Sequence, residues 1–223
     1  MIRYPLRIRL FAAGLSALAG FVDAIGFIKL GGYFVSFMSG NSTRLAVALA
    51  KGQPPIAAGL IAAFVLGVIL GALAAGAAAS RHRATTVLVL VTVLLAAAAA
   101  LDRPGLGAVC AIAMAMAMGA ENGVFAADGE VHIGLTYMTG TLVKLGQKVA
   151  MALRGRDVFG WAPYLLLWFG LAAGAVTGAI AYARLGAGSL WIAAAAALAM
   201  TLAAARIGAL DHHMTSSGRA EPR

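Results

Sequence analysis

Charge is what this chain has least of. Only eight of its 223 residues are acidic and 17 are Lys or Arg, so charged residues make up 11% of the whole. A water-soluble domain usually carries about 25%. Cysteine is almost missing: Cys110 stands alone, so no internal disulfide can form and no thiolate framework can hold a metal. Its surroundings are apolar, which suits a small buried hydrophobe. Histidine occurs four times, and no His-Glu-x-x-His spacing is present. His82 lies in a basic stretch, His132 stands alone, and His212 with His213 falls in a polar tail expected to be disordered. These absences exclude a disulfide scaffold and argue against a metal centre, and no cofactor is expected.

In place of charge the chain has long apolar runs. Hydrophobic residues make up 62% of it. The runs Ile56–Ala79, Thr85–Leu101, Tyr164–Ala183 and Ser189–Ala205 approach or exceed the roughly 20 residues that a helix needs to cross a bilayer. The expected fold class is all-α: a polytopic membrane helix bundle with the lipid bilayer as its main partner. The length allows one integral domain over residues 1–223. The net charge of +9 does not point to nucleic acid, because the basic residues fall in short loops and at the ends. The start, MIRYPLRIRLFAAGLSALAG, has the look of a signal peptide, but its apolar stretch continues too far and reads as a first membrane helix.

The polar residues are concentrated in one pattern that occurs twice. YFVSFMSGNSTRLAVALA at 33–50 matches IGLTYMTGTLVKLGQKVA at 133–150. Met38, Gly40, Leu45 and Ala50 meet identical residues, and Ser36, Phe37, Ser39 and Arg44 meet Thr136, Tyr137, Thr139 and Lys144. Agreement in hydroxyls, glycine, an aromatic and a cation is not what two Ala- and Leu-rich segments share by chance, so it reads as duplication. Upstream, GFVD at 20–23 aligns with GAEN at 119–122. Downstream, Gly67 and Gly71 align with Gly170 and Gly174, followed by Gly178; small residues four apart let membrane helices approach closely. Repeat 1 then covers about 9–101, repeat 2 about 105–206, and a polar tail 207–223, with the boundary at LDRPG, residues 101–105.

Each motif is short for a span and too polar to face lipid. We read it as an irregular stretch followed by a half-helix, with Ser39 or Asn41 and Thr139 as N-caps. Three crossings in each half make six, and an odd number makes the halves inverted. Eight crossings in parallel repeats are the alternative. Arg3, Arg7 and Arg9 place the N-terminus in the cytoplasm, and the positive-inside rule then places both termini there, in a bacterial inner membrane.

The motifs GFVDAIGF, FMSGN and TYMTGTLVKLG resemble those of the YoaK-like bacterial membrane proteins, domain-of-unknown-function family 1275. The resemblance runs from about Phe11 to Ala205. Ser39 stands where the pattern has Thr, and Glu121 where it has Gln. The resemblance implies an integral membrane location and brings no substrate.

Half-helix starts carry partial positive charge and unpaired N–H groups. Two of them together would suit a small solute, an anion above all. The expected solute-binding residues are Ser39, Gly40, Asn41, Arg44, Thr139, Gly140, Thr141 and Lys144. Asp23, Glu121 and Asn122 are the expected gating or proton-coupling residues, because ionisable groups inside a membrane are costly. Asp23 is expected to pair with Lys144 or Arg44. The blander reading makes the glycines packing elements and lets Arg44 and Lys144 snorkel. Trp161, Tyr164, Trp168 and Trp191 fit interfacial anchoring. The Met-rich stretch 113–119 fits flexible core packing. No enzyme is expected: Ser39 lacks both a Gly-x-Ser-Gly setting and a facing base. The expected function is a small-solute permease; a non-transporting assembly or regulatory protein is the rival, and a homo-oligomer is left open.

Overall fold

The computed structural model describes residues 4–127, 130–131 and 133–217, with side chains outside 127–132 and 208–217. Among the described residues the chain forms eight α-helices: α1 (Leu6–Lys29), α2 (Met38–Ala50), α3 (Ile56–Ala77), α4 (Arg83–Ala100), α5 (Gly107–Glu121), α6 (Met138–Leu153), α7 (Ala162–Leu185) and α8 (Ser189–Ser217). Two-residue strands at Ala126–Ala127 and Glu130–Val131 pair antiparallel between α5 and α6. Five helical stretches are long and apolar enough to cross a membrane. The last covers 46 residues, Ala162–Ile207, and contains α7 and the first part of α8, through Ile207. A 3-10 turn at Gly186–Gly188 separates them, and Gly186 has a φ of 52° that favours glycine. The protein is a polytopic helical membrane protein.

Ala, Leu and Val carry the helices, and Gly or Pro ends them. Pro54 and Pro55 precede α3, Pro104 and Gly105 separate α4 from α5, and Pro163 sits in the first turn of α7. After α1 the chain reverses at Gly31 and Gly32, with φ of 64° and 99°, and the Gly32 N–H donates to the Phe27 carbonyl at 2.7 Å. The final helix runs through Ser217, beyond position 207 where a disordered tail is expected. No proline or glycine interrupts residues 209–217, so the helix propagates. Arg3, His132, Arg219 and Arg223 lie outside the described residues, as do the side chains of His212 and His213.

Glycine decides which helices touch. Gly170, Gly174 and Gly178 of α7 lie on the backbone of Ala13, Ala17 and Phe21 of α1. Gly67 and Gly71 of α3 lie on Met116 and Ala120 of α5. In both pairs the numbers rise together, so the helices run in the same direction. Gly20 returns the contact onto Leu171, and Gly119 onto Phe64. These contacts match Gly67 with Gly174 and Gly71 with Gly178. The sequence alignment of Gly67 with Gly170 is therefore one turn out of step. The cause is that α6 is three residues longer than α2, and the link before α7, residues 154–161, three longer than the link before α3, residues 51–55.

The buried core lies along α5, where Cys110, Met114 and Met118 are fully enclosed. Cys110 Sγ lies 3.9 Å from Met114 Sδ, and the methionines fill the centre of the bundle. Trp168 and Trp191 sit on the outer surface at 38% and 54% exposed, while the Trp161 indole donates to the Val158 carbonyl in a loop. On the flank of α5, α4 packs against α8, with Thr92 and Thr201 hydroxyls 3.1 Å apart.

Candidate functional site

The two motif helices begin two to four residues earlier than expected, and their starts are built differently. α2 opens at Met38 after Phe37, and α6 opens at Met138 after Tyr137. Neither start has a side-chain cap hydrogen bond, so Ser39, Asn41 and Thr139 are not N-caps. All three already lie inside the helix, Ser39 and Thr139 two residues and Asn41 four residues past the position from which a side chain can reach the N2 or N3 amide.

The motif amide clamps the preceding loop instead. Asn41 is fully buried; its Oδ1 accepts the Phe34 N–H at 3.0 Å, and its Nδ2 donates to the Phe34 carbonyl at 2.7 Å. Asp23 holds the same loop from α1, its Oδ1 accepting the Val35 and Ser36 N–H groups at 2.8 Å each. Non-helical backbone at membrane depth needs such partners. The expected pairing of Asp23 with Arg44 or Lys144 is absent. The loop amides are nearer to the carboxylate and leave no cation in reach. Arg44 lies over the Tyr33 ring, 5.1 Å from its centroid, and borders a separate cavity near Gln53. Lys144 is exposed on α6.

In the second half the matching positions do similar work with neutral groups. Asn122 Oδ1 accepts the Thr136 hydroxyl at 3.1 Å, and its Nδ2 donates to the Met118 carbonyl at 3.0 Å. Thr141 is buried and donates to the Tyr137 carbonyl at 3.2 Å. Ser16 of α1 is fully buried, 3.2 Å from the carbonyls of both Leu135 and Leu167, and ties this loop to α7. Glu121 is fully enclosed, and neither carboxylate oxygen has a hydrogen-bond partner.

The two helix starts meet. Ser36, Phe37, Met38 and Ser39 face Thr136, Tyr137, Met138, Thr139 and Gly140 across one cavity of about 300 Å³, with Phe64 of α3 as part of its wall. Of the expected solute-binding residues, Ser39, Thr139 and Gly140 line it. Asn41 and Thr141 are buried behind it, and Gly40 packs on the Phe37 and Phe34 rings. Arg44 and Lys144 are not among its lining residues. Ser36, Thr136 and the Phe37–Tyr137 pair line it without having been singled out; their signal was their agreement across the repeated motif. Phe64 carried no signal. Ser42 and Thr43 turn their hydroxyls back onto the Met38 and Ser39 carbonyls of their own helix.

Lys29 at the end of α1 forms an ion pair with Asp102, just after α4. The C-terminal end of α1 and the α4–α5 turn therefore lie on the same face of the bundle. Among the described residues, no group of three or more His, Cys, Asp or Glu could hold a metal ion.

Comparison with known proteins gives the family of the chain. The family model described as protein of unknown function (DUF1275) matches residues 11–203. A UPF0700 transmembrane protein of Rhizobium meliloti (strain 1021) is 37% identical over 195 residues, covering 87% of this chain and 85% of that one. No solved structure matches. A bundle of apolar helices matched over nearly its whole length is thus a transmembrane protein that belongs to the DUF1275 family.

Proposed function

We propose that the protein is a small-solute permease whose binding site lies where α2 and α6 begin. One observation carries this reading: two uncapped helix starts from different halves of the chain share one cavity. Uncapped first turns leave N–H groups without intrahelical partners. Both macrodipoles place partial positive charge at the same point. Hydroxyls of Ser36, Ser39, Thr136 and Thr139 add polar contacts. A cavity of about 300 Å³ accommodates a solute of a few heavy atoms with some water. The preference is for an anion, and it comes from backbone amides, since Arg44 and Lys144 stand elsewhere.

The chain crosses six times, as two inverted three-helix repeats. The Lys29–Asp102 pair supports this count. α4 ends on the face where α1 ends. A short turn joins α3 to α4, so α3 starts on that face too. α2 then leaves and returns on one side of the membrane. Eight crossings would put Lys29 and Asp102 on opposite faces. The 46-residue stretch Ala162–Ile207 divides at Gly186 into two spans. Arg7, Arg9, Arg81, Arg83, Lys148, Arg154, Arg156 and Arg206 share one face under this count, and Lys29, Lys51, Arg103 and Arg184 the other. The first face is cytoplasmic by the positive-inside rule, with both termini on that side of a bacterial inner membrane.

The test is single cysteines at Ser39 and Thr139 in a Cys110→Ser background. A membrane-impermeant maleimide reaches both in a permease, and added small anions slow its reaction. Silence at both positions overturns the permease reading in favour of an assembly protein with packing motifs. A Lys29→Cys, Asp102→Cys pair cross-links under six crossings and does not under eight.

A further inference from the structure

Among the described side chains, two acidic ones lie inside the helices that line the bundle, and they have opposite surroundings. Asp23 is occupied by the Val35 and Ser36 amides, so it is an anchor for the loop. Glu121 anchors nothing: it is 0% exposed and both its oxygens lack a partner. Buried polar side chains are almost always paired, and an exception calls for a reason.

Among the described side chains, no charge on the neighbouring elements answers it. α3 contains no titratable residue, and α4 has only Arg83 at its first position. α5 itself offers only Cys110 besides Glu121, and the turn Asn122–Phe125 offers none. α1 brings Arg7 and Arg9 at its start, Asp23 held by the loop, and Lys29 paired with Asp102. That ion pair lies at the opposite end of α5, about 21 Å along the helix from Glu121 at 1.5 Å per residue. An ionised carboxylate without partners in such a place is very costly, and the group neutralises instead. A metal cation is a poor occupant, since one carboxylate cannot supply the six or more oxygens that such ions take.

We propose that Glu121 is a proton-binding site: it holds a dissociable proton in the closed bundle and exchanges it with water in the central cavity. The route is set by its neighbour. Asn122 accepts the hydrogen bond of Thr136, and Thr136 lines the cavity. When that bond opens, cavity water reaches the carboxylic acid. The O–H bond breaks, its electron pair stays on the carboxylate, and the proton passes to a water oxygen; closing reverses the step. That the proton accompanies solute movement rests on the permease reading. The proton site itself does not.

The experiment uses the full chain in liposomes and dicyclohexylcarbodiimide, which adds to protonated carboxyls in apolar surroundings. Peptide mass spectrometry is expected to find the adduct on Glu121 and none on Asp23, with labelling falling as pH rises. Glu121→Gln keeps the thermal transition and loses the adduct. Thr136→Val, which removes the latch, raises the labelling rate several-fold. An unlabelled Glu121 in both wild type and Thr136→Val overturns the proton site. If Cys at Ser39 and Thr139 still reacts, the permease reading survives that failure. A labelled Glu121 with silent cysteines sinks the permease reading alone.

Discussion

The loop before α2 and the loop before α6 do the same job with different chemistry. Before α2, a carboxylate takes two backbone amides and a buried amide side chain clamps Phe34 at both ends. Before α6, Asn122 and Thr136 share one side-chain bond, and Thr141 only returns to its own helix. The first loop is held by four bonds to backbone groups. The second relies on Asn122, Ser16 and packing. The contrast teaches that a break in a membrane helix can be held stiffly or lightly by residues at equivalent positions. The lightly held side is the one beside the unpartnered Glu121, where movement is needed if a proton is to pass.

The largest effect should come from what the halves share. Val at Gly67 or Gly174 would drive a side chain into the backbone of the partner helix. Each should cost about 3 kcal/mol or abolish folding, the upper range of overpacking. Ala at Gly59 or Gly76, which meet nothing within 4 Å, should stay within about 0.5 kcal/mol of wild type. Thermal unfolding in detergent measures both. Unequal losses at Gly67 and Gly174 would break the equivalence of the halves.

Next in size is the contrast between the loops. Asp23→Ala strands two amides, and at about 1–3 kcal/mol for each unsatisfied group it should lose about 3 kcal/mol. Asn122→Ala should lose about 1 kcal/mol, and Asp23→Asn, which retains an acceptor, should recover most of the Asp23 loss. Equal losses at Asp23 and Asn122 in the same unfolding assay would remove the stiff-and-light distinction.

The smallest expected difference is at the paired positions 41 and 141. Asn41→Ala should cost about 2 kcal/mol, because both Phe34 groups lose their partner. Thr141→Ala should cost under about 1 kcal/mol, because the Tyr137 carbonyl already accepts the residue 141 N–H. Hydrogen exchange at the Phe34 amide in Asn41→Ala and at the residue 141 amide in Thr141→Ala gives an independent reading: only the first should quicken.

Legibility in the sequence followed the range of the interaction. The apolar runs announced the spans, and the doubled motif located both short helices, with their starts two to four residues late of Met38 and Met138. Capping was misjudged because Asn41 has the right chemistry for a cap. Only the fold shows the buried Phe34 backbone already waiting for it. The glycine register slipped by one turn because alignment cannot see which residue on the partner helix a glycine touches. Arg44 was placed at the central site on charge alone, and the Tyr33 ring, brought close by the reversal at Gly31 and Gly32, takes it instead.

By itself the sequence determined that this chain lives in a bilayer and carries two polar breaks. Hydrophobic length and helix-breaking residues are local quantities, and backbone left unpaired in lipid is forbidden wherever it occurs. Only the tertiary structure decided what those breaks face. The meeting of Ser39 with Thr139 and the isolation of Glu121 depend on contacts between residues about a hundred positions apart. Those contacts are set by glycine-to-backbone packing of α1 on α7 and α3 on α5, which no local pattern encodes.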